Sequence, residues 1–133
     1  MLLVLACAAP IALAGDPSAA PATAKPATRV KLVGVEEFDK LRANKTNIVL
    51  DVRTPAEFKA GHIAGAINID YNSQEFGQKI AALDKDKAYL VHCAAGVRSA
   101  RACKKLDELG FKQLYDLHPG FKAWEAAGKP VEK

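Results

Sequence analysis

KAYLVHCAAGVRSA, residues 87–100, decides how the rest of the chain is read. Its first half, Lys87 to His92, runs apolar through Tyr89, Leu90 and Val91, which predicts a strand buried on both faces. Beyond the cysteine, Val97, Ala100, Cys103, Leu106 and Leu109 recur at helical spacing, which predicts a helix from Val97 to Leu109 closed by Gly110. Between the two stand Cys93, two alanines, Gly96 and Arg98. A nucleophile set between a strand and a helix N-terminus is one reading of that junction. A buried thiol in a connecting loop is the other.

Outward from this junction the same alternation repeats. On the N-terminal side, a strand at Val30 to Val33 precedes a helix at Val35 to Leu41, and a second strand runs through Asn47 to Val52. Thr54, Pro55, Ala56 and Glu57 read as a helix start: Thr can cap, Pro suits the first helical position, and Glu three residues on completes a capping box. Gly61 stops that helix, Ala66 to Ile69 is a third strand, and Ser73 caps a helix reaching Leu83. On the C-terminal side, Lys112 to Leu117 is the last strand, and Phe121 to Ala127 a helix closed by Gly128. Strands alternating with helices predict an α/β fold, a central and mostly parallel five-stranded sheet with helices on both faces.

The chain has 133 residues, 50% apolar and 26% charged, which suits one domain with a real core. The net charge of +4 comes from scattered Lys and Arg, and the one Trp, three Tyr and five Phe form no stripe interleaved with basic residues. Nucleic acid is therefore not an expected partner. Residues 1–14, MLLVLACAAPIALA, carry no charged side chain and end in Ala12, Leu13, Ala14 before Gly15, the small-x-small pattern of a cleaved signal peptide. Cleavage near Ala14 would send the protein to the periplasm or outside the cell. A second reading makes Val4 to Cys7 a lipobox, with Cys7 lipidated and the chain tethered to a membrane; a third is an apolar terminus with no targeting role. Residues 15–29, GDPSAAPATAKPATR, read as an Ala/Pro-rich flexible spacer, and the folded domain as 30–133.

Two cysteines follow the signal, Cys93 and Cys103. If Cys103 lies in the helix that begins near Cys93, a rise of 1.5 Å per residue separates them by about 15 Å, beyond disulfide reach. Cys103 falls in the apolar stripe and reads as core, which leaves Cys93 a free thiol. In parallel α/β sheets ligands bind at the carboxyl ends of strands, and Cys93 stands at one. Ala94 and Ala95 leave an open mouth, Gly96 allows backbone geometry other residues avoid, and the amides through Ser99 can turn inward as an anion nest at a helix N-terminus. With Arg98 they would lower the thiol pKa toward the reactive thiolate.

These residues resemble a known family. Cys93 to Arg98 is C-x4-R, and Asp51, Val52 and Arg53, the run Gly61 to Ala66 with Asn68 and Ile69, and Gly120, Phe121 and Trp124 stand in order around it. Over residues 30 to 128 the chain resembles a single-domain rhodanese of exported bacterial type. The resemblance implies a sulfurtransferase: Cys93 takes sulfane sulfur from a small anionic donor such as thiosulfate, holds it as a persulfide cradled by Ala94, Ala95, Gly96, Val97, Arg98 and Ser99, and passes it to cyanide or a thiol acceptor. No cofactor is required, the three histidines and the two cysteines after the signal show no metal-ligand spacing, and the protein is expected to be a monomer that meets a membrane only through lipidated Cys7. The chain departs from the family in having Ala94 where a basic residue often follows the cysteine, and His118, Pro119, Gly120 where Gly-Gly is usual. Related phosphatases use a loop one residue longer, so phosphatase or arsenate reductase chemistry is a competing enzyme reading. A sulfur-carrying or redox-sensing domain without catalysis is the competing class.

Several residues keep two readings. Arg98 would stabilise the thiolate or bind the donor anion, or would be a solvated helix residue. Ser99 would donate its hydroxyl hydrogen to the sulfur or cap the first helical turn. His92 tempts as a base, but adjacent strand residues point to opposite faces, away from the sulfur. His62 and His118 read as structural, Trp124 as core, and Asp51, Arg53 and Glu57 as one charge cluster.

Overall fold

The computed structural model describes residues 29–133. The signal segment at 1–14, the Cys7 alternative and the spacer up to residue 28 lie outside the described residues. In chain order the elements are β1 (Val30–Val33), α1 (Val35–Ala43), β2 (Ile48–Asp51), α2 (Pro55–Ala60), β3 (His62–Ile63), β4 (Ile67–Asn68), α3 (Phe76–Ala81), β5 (Ala88–His92), α4 (Val97–Glu108), β6 (Gln113–Leu117), α5 (Gly120–Ala126) and β7 (Val131–Glu132).

Five strands form one sheet in the order β1-β6-β5-β2-β4, and every pairing in it is parallel. β5 lies at its centre with all five residues buried, as its apolar run predicts. Strand alternation then divides the core in two. Tyr89 and Val91 face one layer with Cys93, covered by Phe76 and Ile80 of α3 and by Ala102, Cys103 and Leu106 of α4. Leu90 faces the other, covered by Phe38 of α1 and by Phe121 and Trp124 of α5. A side chain such as Trp124, fully buried, contributes about 2–3 kcal/mol by leaving water.

The helix at Pro55 starts as its residues dictate: Thr54 Oγ1 accepts from the Glu57 amide at 3.3 Å, and Glu57 Oε2 accepts from the Thr54 amide at 2.9 Å. The Ser73 cap is not formed. Ser73 Oγ accepts from the Glu75 amide two residues on, a turn that delays the helix to Phe76; the helix runs only to Ala81. A small ribbon was not foreseen: β3 and β7 pair antiparallel, His62 with Glu132 and Ile63 with Val131. Trp124 Nε1 donates to the Pro130 carbonyl at 2.9 Å and ties that ribbon to the core.

Candidate active site

Cys93 leaves the carboxyl end of β5, and two glycines decide the path of the loop it begins. Gly96 has φ +100°, and a Cβ there would overlap the His118 carbonyl oxygen. Gly120 has φ +75°, and its Cβ would stand 2.6 Å from the Ala94 carbonyl carbon and 2.7 Å from the Ala95 nitrogen. Loop and turn thus pack backbone against backbone, which only glycine permits. The contact also sorts the loop's polar groups. Phe121 and Lys122, in the first turn of α5, donate their amides to the carbonyls of Cys93 at 2.8 Å and Ala94 at 3.2 Å. With those carbonyls turned outward, loop amides turn inward: Gly96 N donates to Cys93 Sγ at 3.1 Å.

Cys93 is 1% exposed, and burial alone pushes its thiol up. The Ser99 hydroxyl and the amides of Ser99, Ala95 and Gly96 outweigh that push and hold the thiol below its ordinary value. Ser99 meets both the sulfur and the first turn, though in neither of the expected ways: Oγ accepts from the Cys93 thiol at 3.6 Å, its hydroxyl donates to the Gly96 carbonyl at 3.2 Å, and no side-chain cap forms at the start of α4. A buried sulfur ringed by inward donors favours the thiolate and any anion formed on it. Ala94 shapes the loop through its carbonyl, and Val97 exposes its side chain at the rim. Cys103, buried under the same layer, has its thiol pushed up chiefly by burial.

Arg98 is engaged elsewhere than its place in the loop suggests. Its Nη1 and Nη2 bind Glu57 Oε2 and Oε1 at 2.8 and 3.0 Å, a bidentate pair that joins α4 to α2. Arg98, the Thr54 amide and the Thr54 hydroxyl lower the Glu57 carboxyl to about 2 against the opposing pull of burial. The guanidinium is thus occupied by Glu57, and it and Cys93 act on each other only through their charges.

The Asp51, Arg53, Glu57 cluster divides accordingly. Arg53 Nη2 binds Asp51 Oδ2 and the Gly61 carbonyl, each at 2.7 Å, and the guanidinium lies 4.0 Å from the Phe121 ring centroid. This buried pair braces α5, whose amides brace the loop. His92 stays off the sulfur, packing on Phe38 and Phe121 in the opposite layer. Burial drives its pKa to about 4, with Asp51 opposing, so the ring is neutral. His62 shares a hydrogen bond with the Phe58 carbonyl at 2.8 Å and stacks on that ring. Sequence reasoning missed Glu57 as the Arg98 partner and the bracing amides of Phe121 and Lys122; Gly120 just before a helix start was the available signal for the latter.

With the sheet and the Cys93 loop in place, comparisons with known proteins show which family the chain resembles. The rhodanese-like domain profile matches residues 34–127. YtwF of Bacillus subtilis is 38% identical over 92 residues, 69% of this chain and 86% of that protein. The thiosulfate sulfurtransferase GlpE of Shewanella oneidensis is 33% identical over 97 residues, 73% of this chain and 94% of that one. A rhodanese-related protein of Thermoplasma volcanium has a solved structure that matches with a TM-score of 0.69 at 36% identity, over 77% of this chain and 97% of that one. Profile, relatives and fold agree, and the chain belongs to the rhodanese-like domain family.

Proposed function

We propose that the protein is a sulfurtransferase working through a persulfide on Cys93. The observation that carries this reading is the sulfur's setting: a buried Sγ receives the Gly96 amide at 3.1 Å, with its thiol held below the ordinary value by burial-opposing donors from Ser99, Ala95 and Gly96. In the first step the Cys93 thiolate attacks the outer sulfur of a sulfane donor. A bond forms between Sγ and that sulfur, the donor's own bond to it breaks, and the electron pair leaves with the remainder, sulfite when the donor is thiosulfate. The terminal sulfur now carries the negative charge, and the same amides stabilise it without rearranging. In the second step cyanide or a thiolate attacks the terminal sulfur, and the bonding pair returns to Sγ as the thiolate. No cofactor enters either step.

The name of the Shewanella relative supports thiosulfate as a donor. Ala94 directly after the cysteine, and an Arg98 held by Glu57, leave the mouth less cationic than a site built around a dianion, so other sulfane donors fit as well. The same reading has the protein act as a monomer on small molecules, exported after cleavage near Ala14 or tethered through Cys7.

Intact mass after incubation with thiosulfate tests the proposal. One added sulfur atom, lost on addition of cyanide and absent in Cys93→Ser, is the expected result. No gain with thiosulfate or with a glutathione persulfide donor would move the domain to the sensing class, and Cys93-dependent release of phosphate from an aryl phosphate would move it to the phosphatases.

A further inference from the structure

Asp116, on β6, is 1% exposed, and neither of its carboxyl oxygens has a hydrogen-bond partner. Buried polar atoms nearly always find partners, so a doubly orphaned carboxyl needs a reason. Its place in the fold supplies one. Register sets Asp116 beside Val91 of β5 and Leu32 of β1. Paired residues of neighbouring strands share a face, and Val91 shares that face with Cys93 two residues on. Above it runs α4, whose buried residues include Ser99 and, one turn later, Cys103. The groups that act on the carboxyl are the Ser99 hydroxyl, which it faces with no hydrogen bond formed, and His118, the residue after its own strand. Burial, the largest influence, raises the Asp116 pKa against both Ser99 and His118. An ionised carboxylate without donors is costly in such a core, which favours the neutral acid, the form that can donate.

Ser99 has a use for a donor. While Cys93 is a thiol, its S–H points to Ser99 Oγ and the Ser99 hydroxyl donates to Gly96 O. Ionisation removes the first of those hydrogens. The hydroxyl must then turn its own hydrogen onto the sulfur, and Oγ is left buried with no donor. Gly96 O still accepts the Ala100 amide at 3.2 Å.

We propose that Asp116 is a positioning residue for Cys93: its neutral carboxyl donates to Ser99 Oγ when the Ser99 hydroxyl turns onto the ionised sulfur. The acid keeps its proton throughout, so no net transfer is required. The inference rests on the sulfurtransferase reading for its purpose, but its test uses no sulfur donor. The full chain and its variants are alkylated with iodoacetamide across pH, and the Cys93 peptide is followed by mass spectrometry. Asp116→Val, which removes both orphan oxygens and should therefore unfold at a higher temperature, shifts the Cys93 midpoint upward by about one unit, an alkylation about tenfold slower below it. Ser99→Ala shifts it the same way, and the double variant goes no further than Ser99→Ala alone. Asp116→Asn, whose side-chain amide still donates, brings the profile back. An unmoved Asp116→Val profile, or an Asp116→Asn profile displaced as far, overturns the proposal. If Asp116→Val does not fold, an unmoved Ser99→Ala or a displaced Asp116→Asn overturns it instead. Sulfur loading of the wild type from thiosulfate, read separately by intact mass, fails only if the sulfurtransferase reading fails.

Discussion

Cys93 and Cys103 share a core layer and are each 1% exposed, yet the fold treats their thiols in opposite ways. Cys103 sits inside α4, where neighbouring amides are bound to carbonyls four residues back, so burial acts unopposed and its thiol is pushed up. Cys93 sits before α4, where amides have no helical partner and the loop folds them onto the sulfur; donors from Ser99, Ala95 and Gly96 overcome its burial. Burial therefore does not decide whether a cysteine is inert. The supply of unpaired backbone donors does.

The sharpest way to break this comparison is to exchange the two thiols for other groups. Cys93→Ser is expected to reduce sulfur loading to background, whereas Cys103→Ala leaves loading in place and costs about 1–2 kcal/mol of stability for the lost packing, measured by urea unfolding. Loading lost equally in both variants would erase the distinction. Next in size is the cradle itself. Gly96→Ala must adopt φ +100° and push its Cβ into the His118 carbonyl, so it should lose ~3 kcal/mol or more and return the Cys93 midpoint to that of an ordinary thiol. A Gly96→Ala protein with wild-type stability and thiol reactivity would show that the loop does not need its turn.

The comparison extends across the sheet through His92, a group kept neutral because the opposite layer offers it no adequate partner. Its folded pKa is about 4 against 6.5 unperturbed. Stability from this group is thus fully present above pH 6.5 and lost as pH falls toward 4, up to ~3 kcal/mol. Urea unfolding from pH 7 to 4 should show the loss, and His92→Leu should flatten it; an equal slope in both proteins would place the acid sensitivity elsewhere. The smallest effect belongs to Glu57. Its folded pKa is about 2 against 4.5, so its contribution is present above pH 4.5 and disappears as pH falls to 2. Because the Arg98 pair is partly solvated, Glu57→Gln should cost only ~0.5–1 kcal/mol at pH 7, and a loss several times larger would make the pair a structural keystone of the loop.

Much of this arrangement was legible in the residues. The apolar run at Tyr89 to Val91 announced the central strand, Thr54 to Glu57 wrote out a capping box, and Cys93 to Ser99 is contiguous, so its strand, loop and helix could be read as one device. What escaped was set by contacts distant in sequence. β3 and β7 are two residues each, too short for any period, and are held by each other and by Trp124. Glu57 and Arg98 are 41 positions apart, and neither residue type by itself names its partner. Ser73 offered a cap, but its own short turn to Glu75 competed and won. Nothing in the strand Lys112 to Leu117 singles out Asp116; only register, which pairs it with Val91, places it under α4.

The central claim is that donors in the loop make a buried Cys93 sulfur ionise readily. Difference ultraviolet titration of thiolate absorbance between the wild-type protein and Cys93→Ser isolates that one group. The account predicts a Cys93 midpoint below the ordinary thiol value of about 8.5. A midpoint at or above that value would mean that burial governs Cys93 as it governs Cys103, and would contradict the account.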